Sequence, residues 1–298
     1  MEFASRSVDP ASRGYGSTKN AWTAFWQEPG QSRCVDGNHD IWGVLSQHWT
    51  TLAATLPFGS RVLDLGCGAG AVARLVLDAR RALHVTGIDF ARIPLTIHAH
   101  VELLSDTAME CLPFAEGSFG AVVSQFGYEY SQLERTAREM ERVLARDAKF
   151  SLLVHHSGSS IVAGNRSRLN ALCALVGPSM RAAFCSGDVP AFNAQFSALS
   201  AKHPHDTLVV ELARSLPARL SRAQQERIAI WNAIEEALAP ERCLAEALNA
   251  CCVAPEELEE WLAPLRDIRE LLPVSILREA NGAPFAWKIE SGRGVANG

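Results

Sequence analysis

Between Arg61 and His155 the chain alternates short apolar runs with stretches in which apolar residues recur every three or four positions. The runs are Arg61–Leu65, His84–Asp89, Val101–Ser105, Ala121–Gln125 and Lys149–His155. They are too short for helices and too continuous for half-exposed strands, so each predicts a strand buried on both faces. The periodic stretches predict a helix from Val72 to about Arg81, a short one near Ala91–Ile97 and another from Leu133 to about Ala145. Such alternation specifies an α/β fold, a doubly wound, mostly parallel sheet covered by helices on both faces.

The flanking regions have different patterns. From Ala21 to Phe58 the chain is helix-compatible and carries Trp22, Phe25, Trp26, Trp42 and Trp49. Aromatic residues at helical spacing read first as packing on the sheet, and second as a lid over a site. After His156 more than a hundred residues rich in Ala, Leu, Arg and Glu read as several helices. Ser221 with Gln224 forms a capping-box pattern ahead of Ile228, Trp231, Ile234 and Leu238, and Pro255 is a first-turn proline for Glu256 to about Leu272. Val274–Glu279 and Phe285–Glu290, joined across Asn281-Gly282, predict a closing hairpin. The expected organisation is therefore a disordered start (1–20), an N-terminal helical lid (21–58), an α/β core (59–156), a helical cap (157–272), the hairpin (273–290) and a disordered tail (291–298).

Composition narrows the class. The 298 residues can bury a substantial core, and 48% hydrophobic with 20% charged residues is ordinary for globular chains. No apolar run approaches a membrane span and no signal-type segment opens the chain. Eight cysteines without Cys-x-x-Cys pairs suggest neither a disulfide framework nor a zinc site. A cytoplasmic chain without a metal is expected. With 28 basic against 33 acidic residues, and five basic against eleven acidic between 221 and 270, a phosphate backbone would be repelled. The expected partner is a small molecule, not nucleic acid or membrane, with homodimerisation through amphipathic helices as the alternative role for the cap.

Chemistry concentrates in Val62-Leu-Asp-Leu-Gly-Cys-Gly-Ala-Gly70, a strand entering a glycine-rich turn and then a helix. Gly66, Gly68 and Gly70 permit backbone angles and close approach that suit a nucleotide-like ligand. Gly66, Gly68 and Ala71 also match the dinucleotide fingerprint, which leaves a nicotinamide-dependent oxidoreductase as a rival. Asp64 discriminates: a pyrophosphate gains nothing beside a carboxylate, whereas a ligand carrying an ammonium and a sulfonium does. Cys67 reads as a small residue tolerated by close packing.

With three further stretches in the same order, the chain resembles the class I S-adenosylmethionine-dependent methyltransferases of small-molecule type. These are Val85-Thr-Gly-Ile-Asp-Phe90, Ser105–Phe114, and Gly117–Gly127, where Gly120 replaces the family's usual Asp. The resemblance implies a Rossmann-like methyltransferase fold closed by an antiparallel hairpin, with S-adenosyl-L-methionine bound at Asp64, Gly66, Cys67, Gly68, Gly70, Asp89, Phe90, Asp106, Thr107, Ala108, Met109 and Gln125. It assigns Asp89, 19 residues after Gly70, to the ribose, and Asp106 to the exocyclic amine of adenine. On the substrate side stand Trp22, Trp26, Phe126, Tyr130 and His156, and the candidates for a general base are Tyr128, Glu129 and His155. Neighbouring strand residues point to opposite faces, so His155 and His156 cannot both address one site. The expected reaction is methylation of an O, N or C atom of a small organic acceptor in a capped pocket. A non-catalytic binding protein on the same fold is the further alternative.

Overall fold

The computed structural model describes residues 15–28, 38–94 and 100–292. In chain order its elements are α1 (Tyr15–Gln27), α2 (His39–Thr55), β1 (Arg61–Leu65), α3 (Ala71–Ala79), β2 (His84–Ile88), β3 (Val101–Leu104), β4 (Phe119–Gln125), α4 (Leu133–Val143), β5 (Leu144–His155), α5 (Ser160–Leu175), α6 (Pro178–Ser186), α7 (Val189–Lys202), α8 (Thr207–Ser215), α9 (Gln224–Cys251), α10 (Leu258–Ile268), β6 (Ser275–Arg278) and β7 (Pro284–Glu290). They divide into two compact units, one of residues 1–162 with 251–298 and one of residues 163–250.

The first unit is built on a seven-stranded sheet of order β3-β2-β1-β4-β5-β7-β6. All pairings from β3 to β5 are parallel, and β7 runs antiparallel between β5 and β6. The order reverses between β1 and β4, which opens a crevice beyond their carboxyl ends where ligands of such sheets bind. Alternation along β1 shows how the sequence makes two layers. Val62 packs with Leu45, Trp49 and Leu52 of α2 and Val72, Val76 and Leu77 of α3. Leu63 and Leu65 pack on the other face with Ala137, Met140 and Val143 of α4 and Leu262 and Leu265 of α10. The helix holding Trp49 is thus a core layer, the first of the two readings of the aromatic segment.

The second unit has its own core, in which Phe184, Phe192, Phe196, Leu216 and Trp231 are buried together. Asp188 and Asp206 cap α7 and α8 by accepting from Ala191 N and Val209 N, each at 3.0 Å. Arg168 of α5 pairs with both Asp206 and Glu241, and so ties α5 to α8 and α9.

Several expectations change. Residues 15–20 are helical rather than disordered, because they open α1; the rest of that expected disordered start lies outside the described residues. Of the helix expected near Ala91–Ile97, Ala91 lies in a bend, residues 92–94 have no regular structure and 95–97 lie outside the described residues. The Ser221–Gln224 box does not form: α9 begins at Gln224 itself, and the Ser221 hydroxyl donates to Ala218 O. The expected cap boundary of 157–272 overreaches, since α10 packs into the sheet's core and only 163–250 form the separate unit. Ser291, expected in a disordered tail, is buried and bridges to Leu271; residues 293–298 lie outside the described residues.

Candidate functional site

At the end of β1 the turn takes left-handed angles at Gly66, Gly68 and Gly70, with φ of 69°, 51° and 77°. Gly66 N and Cys67 N both donate to Ile88 O at 2.9 Å, which fixes the turn to β2. Gly87 makes this possible, since a Cβ there would lie 2.7 Å from Cys67 and from Leu103. The Cys67 thiol is buried, and burial with the nearby Asp64 and Asp89 charges pushes its pKa well up, so it is a packing residue rather than a reactive one.

Asp89 follows β2 and is buried. Its carboxylate accepts from Gly68 N and from Ala91 N, both at 2.9 Å. Burial raises its pKa to about 6 against the opposing effect of those two hydrogen bonds. Asp64 is 1% exposed, and neither carboxylate oxygen has a hydrogen-bond partner. Burial first and the Asp89 charge second push its pKa well above the carboxylate range. A buried carboxyl group without partners is costly in either protonation state. A ligand group with N–H donors and a positive charge relieves that cost, whereas a pyrophosphate adds to it. The donor set therefore fits S-adenosylmethionine through its ammonium and does not fit a dinucleotide.

The loop after β3 comes back to this turn. Thr107 N donates to Asp89 O at 2.9 Å, and the Met109 methyl lies 3.7 Å from where a Cβ on Gly66 would stand. Asp106, at φ 54°, holds Lys19 at 2.5 Å and Arg92 at 3.5 Å, and the Lys19 ammonium keeps its pKa below the usual value. Phe90 and Ala108 are half-buried on the same two loops. Gln125 behaves differently. Its amide oxygen accepts from Trp49 Nε1 at 2.7 Å, so it anchors α2 rather than facing the turn.

On the other side of the crevice, Gly127 packs directly on the glycine turn. A Cβ there would meet Leu65 O at 2.8 Å and Ser124 Oγ at 3.1 Å. Ser124 donates to Leu65 O at 2.8 Å and accepts from Tyr128 N at 3.0 Å, which locks the β4 terminus to the β1 terminus. Phe126, at φ 59°, stacks on His155 with ring centroids 4.0 Å apart. Glu129 Oε1 accepts from both His155 N at 3.1 Å and His155 Nδ1 at 2.8 Å, while its buried Oε2 has no partner. Trp22 meets Tyr130 edge-on at 5.6 Å and stacks on Trp26 at 6.2 Å.

Two candidates fall away. Tyr128 is fully buried, and its hydroxyl donates to Leu133 O at 3.0 Å among the α4-side core residues. Its pKa is raised by burial, so it serves the core and not a reacting group. His156 stacks on Trp287 at 4.6 Å and its Nδ1 accepts from Gly158 N, on the opposite strand face from His155. Ser124, Gly127 and Gly87 were missed by sequence reasoning. Their roles come from cross-strand proximity, and only the Ser124–Gly127 position at a strand end beside the glycine turn could have signalled them.

Comparison with known proteins agrees with this geometry. Residues 63–152 match the family model described as a methyltransferase domain. The 2-phytyl-1,4-naphtoquinone methyltransferase of Thermosynechococcus vestitus is 31% identical over 126 residues, 39% of this chain and 54% of that protein. The demethylmenaquinone methyltransferase of Thermotoga maritima is 36% identical over 98 residues, 31% of this chain and 42% of that protein. The ubiquinone biosynthesis O-methyltransferase of Aeromonas salmonicida is 45% identical over 49 residues, 16% of this chain and 20% of that protein. The chain thus spans about half the length, or less, of the curated relatives it matches.

Proposed function

We propose that this chain, whose residues 63–152 match a methyltransferase domain, is a class I S-adenosylmethionine-dependent methyltransferase that methylates a small organic acceptor, which must lose a proton in the reaction. The observation that carries the reading is the buried, unpartnered Asp64 carboxyl beside the glycine turn. When bound, the cofactor supplies a methyl group already activated on a sulfonium. Asp64 would hold its ammonium, Asp89 its ribose, and Asp106 with Met109 its base, while the turn Gly66–Gly70 accommodates it against the main chain.

The chain's own contribution is then positioning and proton removal. His155 is the general base in this proposal. Glu129 is its positioning residue: by accepting from Nδ1 it fixes the tautomer that leaves Nε2 to take the acceptor's proton. Phe126 holds the imidazole plane by stacking. The names of the quinone methyltransferase relatives, and the aromatic side chains Phe126 and Tyr130 at the β4 end, support a flat acceptor. The acidic balance of the chain supports a small molecule over nucleic acid.

Thermal shift with S-adenosylhomocysteine and with NAD separates donor classes, because only a ligand of the folded state raises Tm. We expect stabilisation by the former alone, and stabilisation by NAD overturns the reading. For the base, His155→Ala should lower kcat by about 10²-fold or more. Glu129→Gln removes the negative partner, so the acidic limb of the pH–rate profile, where the base must lose its proton, should move to lower pH with KM nearly unchanged. An unmoved profile refutes the dyad.

A further inference from the structure

The glycine turn and Asp106 are both already engaged by α1. The Trp26 indole lies against Gly68 so closely that a Cβ there would stand 2.2 Å from Cζ2 and 2.5 Å from Cη2. The ring is buried with Cys67, Ala69, Ala91 and Ile93, the residues of the turn and of the loop beyond Asp89. Two helical turns back on the same face, Lys19 places its ammonium 2.5 Å from Asp106. Between them Thr23 Oγ1 accepts from Arg92 N at 3.1 Å. A planar aromatic ring thus rests on the glycine where a nucleoside would rest, and a nitrogen cation occupies the acid read as the partner of a base's amino group.

We propose that α1 is an internal occupant of the cofactor cradle, which imitates the donor at Gly68 and at Asp106 and is displaced when the donor binds. This rests on the cradle being the donor site. It differs in sign from a lid. A lid adds contacts to a bound ligand, whereas an occupant competes with it and weakens apparent affinity by the fraction of molecules in which α1 is undocked. The indole carries most of the competition, because it is buried, whereas the Lys19–Asp106 pair is half-exposed and ion pairs of that kind contribute little.

The test uses the full chain, S-adenosylhomocysteine as probe, titration calorimetry and hydrogen exchange. Trp26→Ala should bind the probe about tenfold more tightly than the parent, as when a competent fraction near one tenth is released. Lys19→Met should gain about two- to threefold. In the parent chain, α1 amides should exchange faster at saturating probe. Weaker binding by Trp26→Ala, or α1 amides that become protected, overturns the occupant and shows a lid instead. If Trp26→Ala fails to fold, the exchange result in the parent decides alone. Absence of binding by parent and both variants overturns the donor site itself.

Discussion

Asp89 has two roles that pull against each other. It accepts from two buried backbone N–H groups that hold the glycine turn and the following bend, and it is the acid assigned to the ribose. Asp89→Ala should therefore abolish S-adenosylhomocysteine binding and also destabilise the fold. Each orphaned donor costs about 1–3 kcal/mol. Asp89→Asn keeps an acceptor and should lose affinity with a smaller drop in Tm; equal Tm losses in both refute the structural share. The pH dependence follows from the raised pKa. The folded, ligand-free state keeps its proton up to about pH 6, while the unfolded chain releases it near the ordinary carboxyl value of 3.8. The stabilisation from holding that proton is lost as pH rises through this window. A ribose needs the ionised acceptor, so affinity for S-adenosylhomocysteine should fall as pH drops below about 6, by at most tenfold per pH unit for one proton. Calorimetry in two buffers of different ionisation enthalpy should show proton release on binding near pH 6. At this scale the sequence spacing located Asp64, Asp89 and the three glycines. It could not show that Gln125 is committed to Trp49 or that Tyr128 turns into the core, because those outcomes depend on which neighbours tertiary packing sets beside each side chain.

At the level of elements, the strand termini are joined by contacts too close for any side chain. Gly127→Ala would place a Cβ 2.8 Å from Leu65 O, a backbone atom that cannot yield without moving the glycine turn. We expect a loss of about 1–3 kcal/mol, typical of overpacking, read as a lower chemical denaturation midpoint. Weakened S-adenosylhomocysteine binding should accompany it, since the displaced turn lines the cradle. Unchanged stability would mean the β4 end is free to shift. β1, β2, β4 and β5 were readable because a strand buried on both faces has few sequence imitations, and β1 matches its expected bounds of Arg61–Leu65, whereas β3, expected to be buried on both faces, lies at the sheet edge with Glu102 exposed. Irregular segments were not. Residues 91–94 look helical by composition, yet Ala91 N is held by Asp89 and Ile93 N by Ser105 Oγ, which favours a bend followed by irregular backbone. Ser221 had the residue type of a cap but sits three positions before α9 begins.

On the scale of the whole molecule, chain order matters more than composition. Every residue assigned to the donor in the proposed function lies between Asp64 and Met109, and α1, which competes with the donor, belongs to the same unit as the sheet. The inserted unit of residues 163–250 buries its own Trp231, fully enclosed beside Phe184 at 5.2 Å, with Nε1 donating to Glu235 at 3.1 Å. Its helices were legible from periodicity, but its limits were not. In sequence α10 continues the helical stretch of α5 to α9, and only its packing on α4 assigns it to the sheet. Two cores in one chain imply that damage to one can be read apart from ligand binding by the other. Trp231→Ala should cost about 3–5 kcal/mol within the helical unit. It should leave S-adenosylhomocysteine affinity within about twofold of the parent at temperatures below the first unfolding transition. A tenfold loss of affinity there would mean that the inserted helices help form the cradle, and the donor site would have to be redrawn to include them.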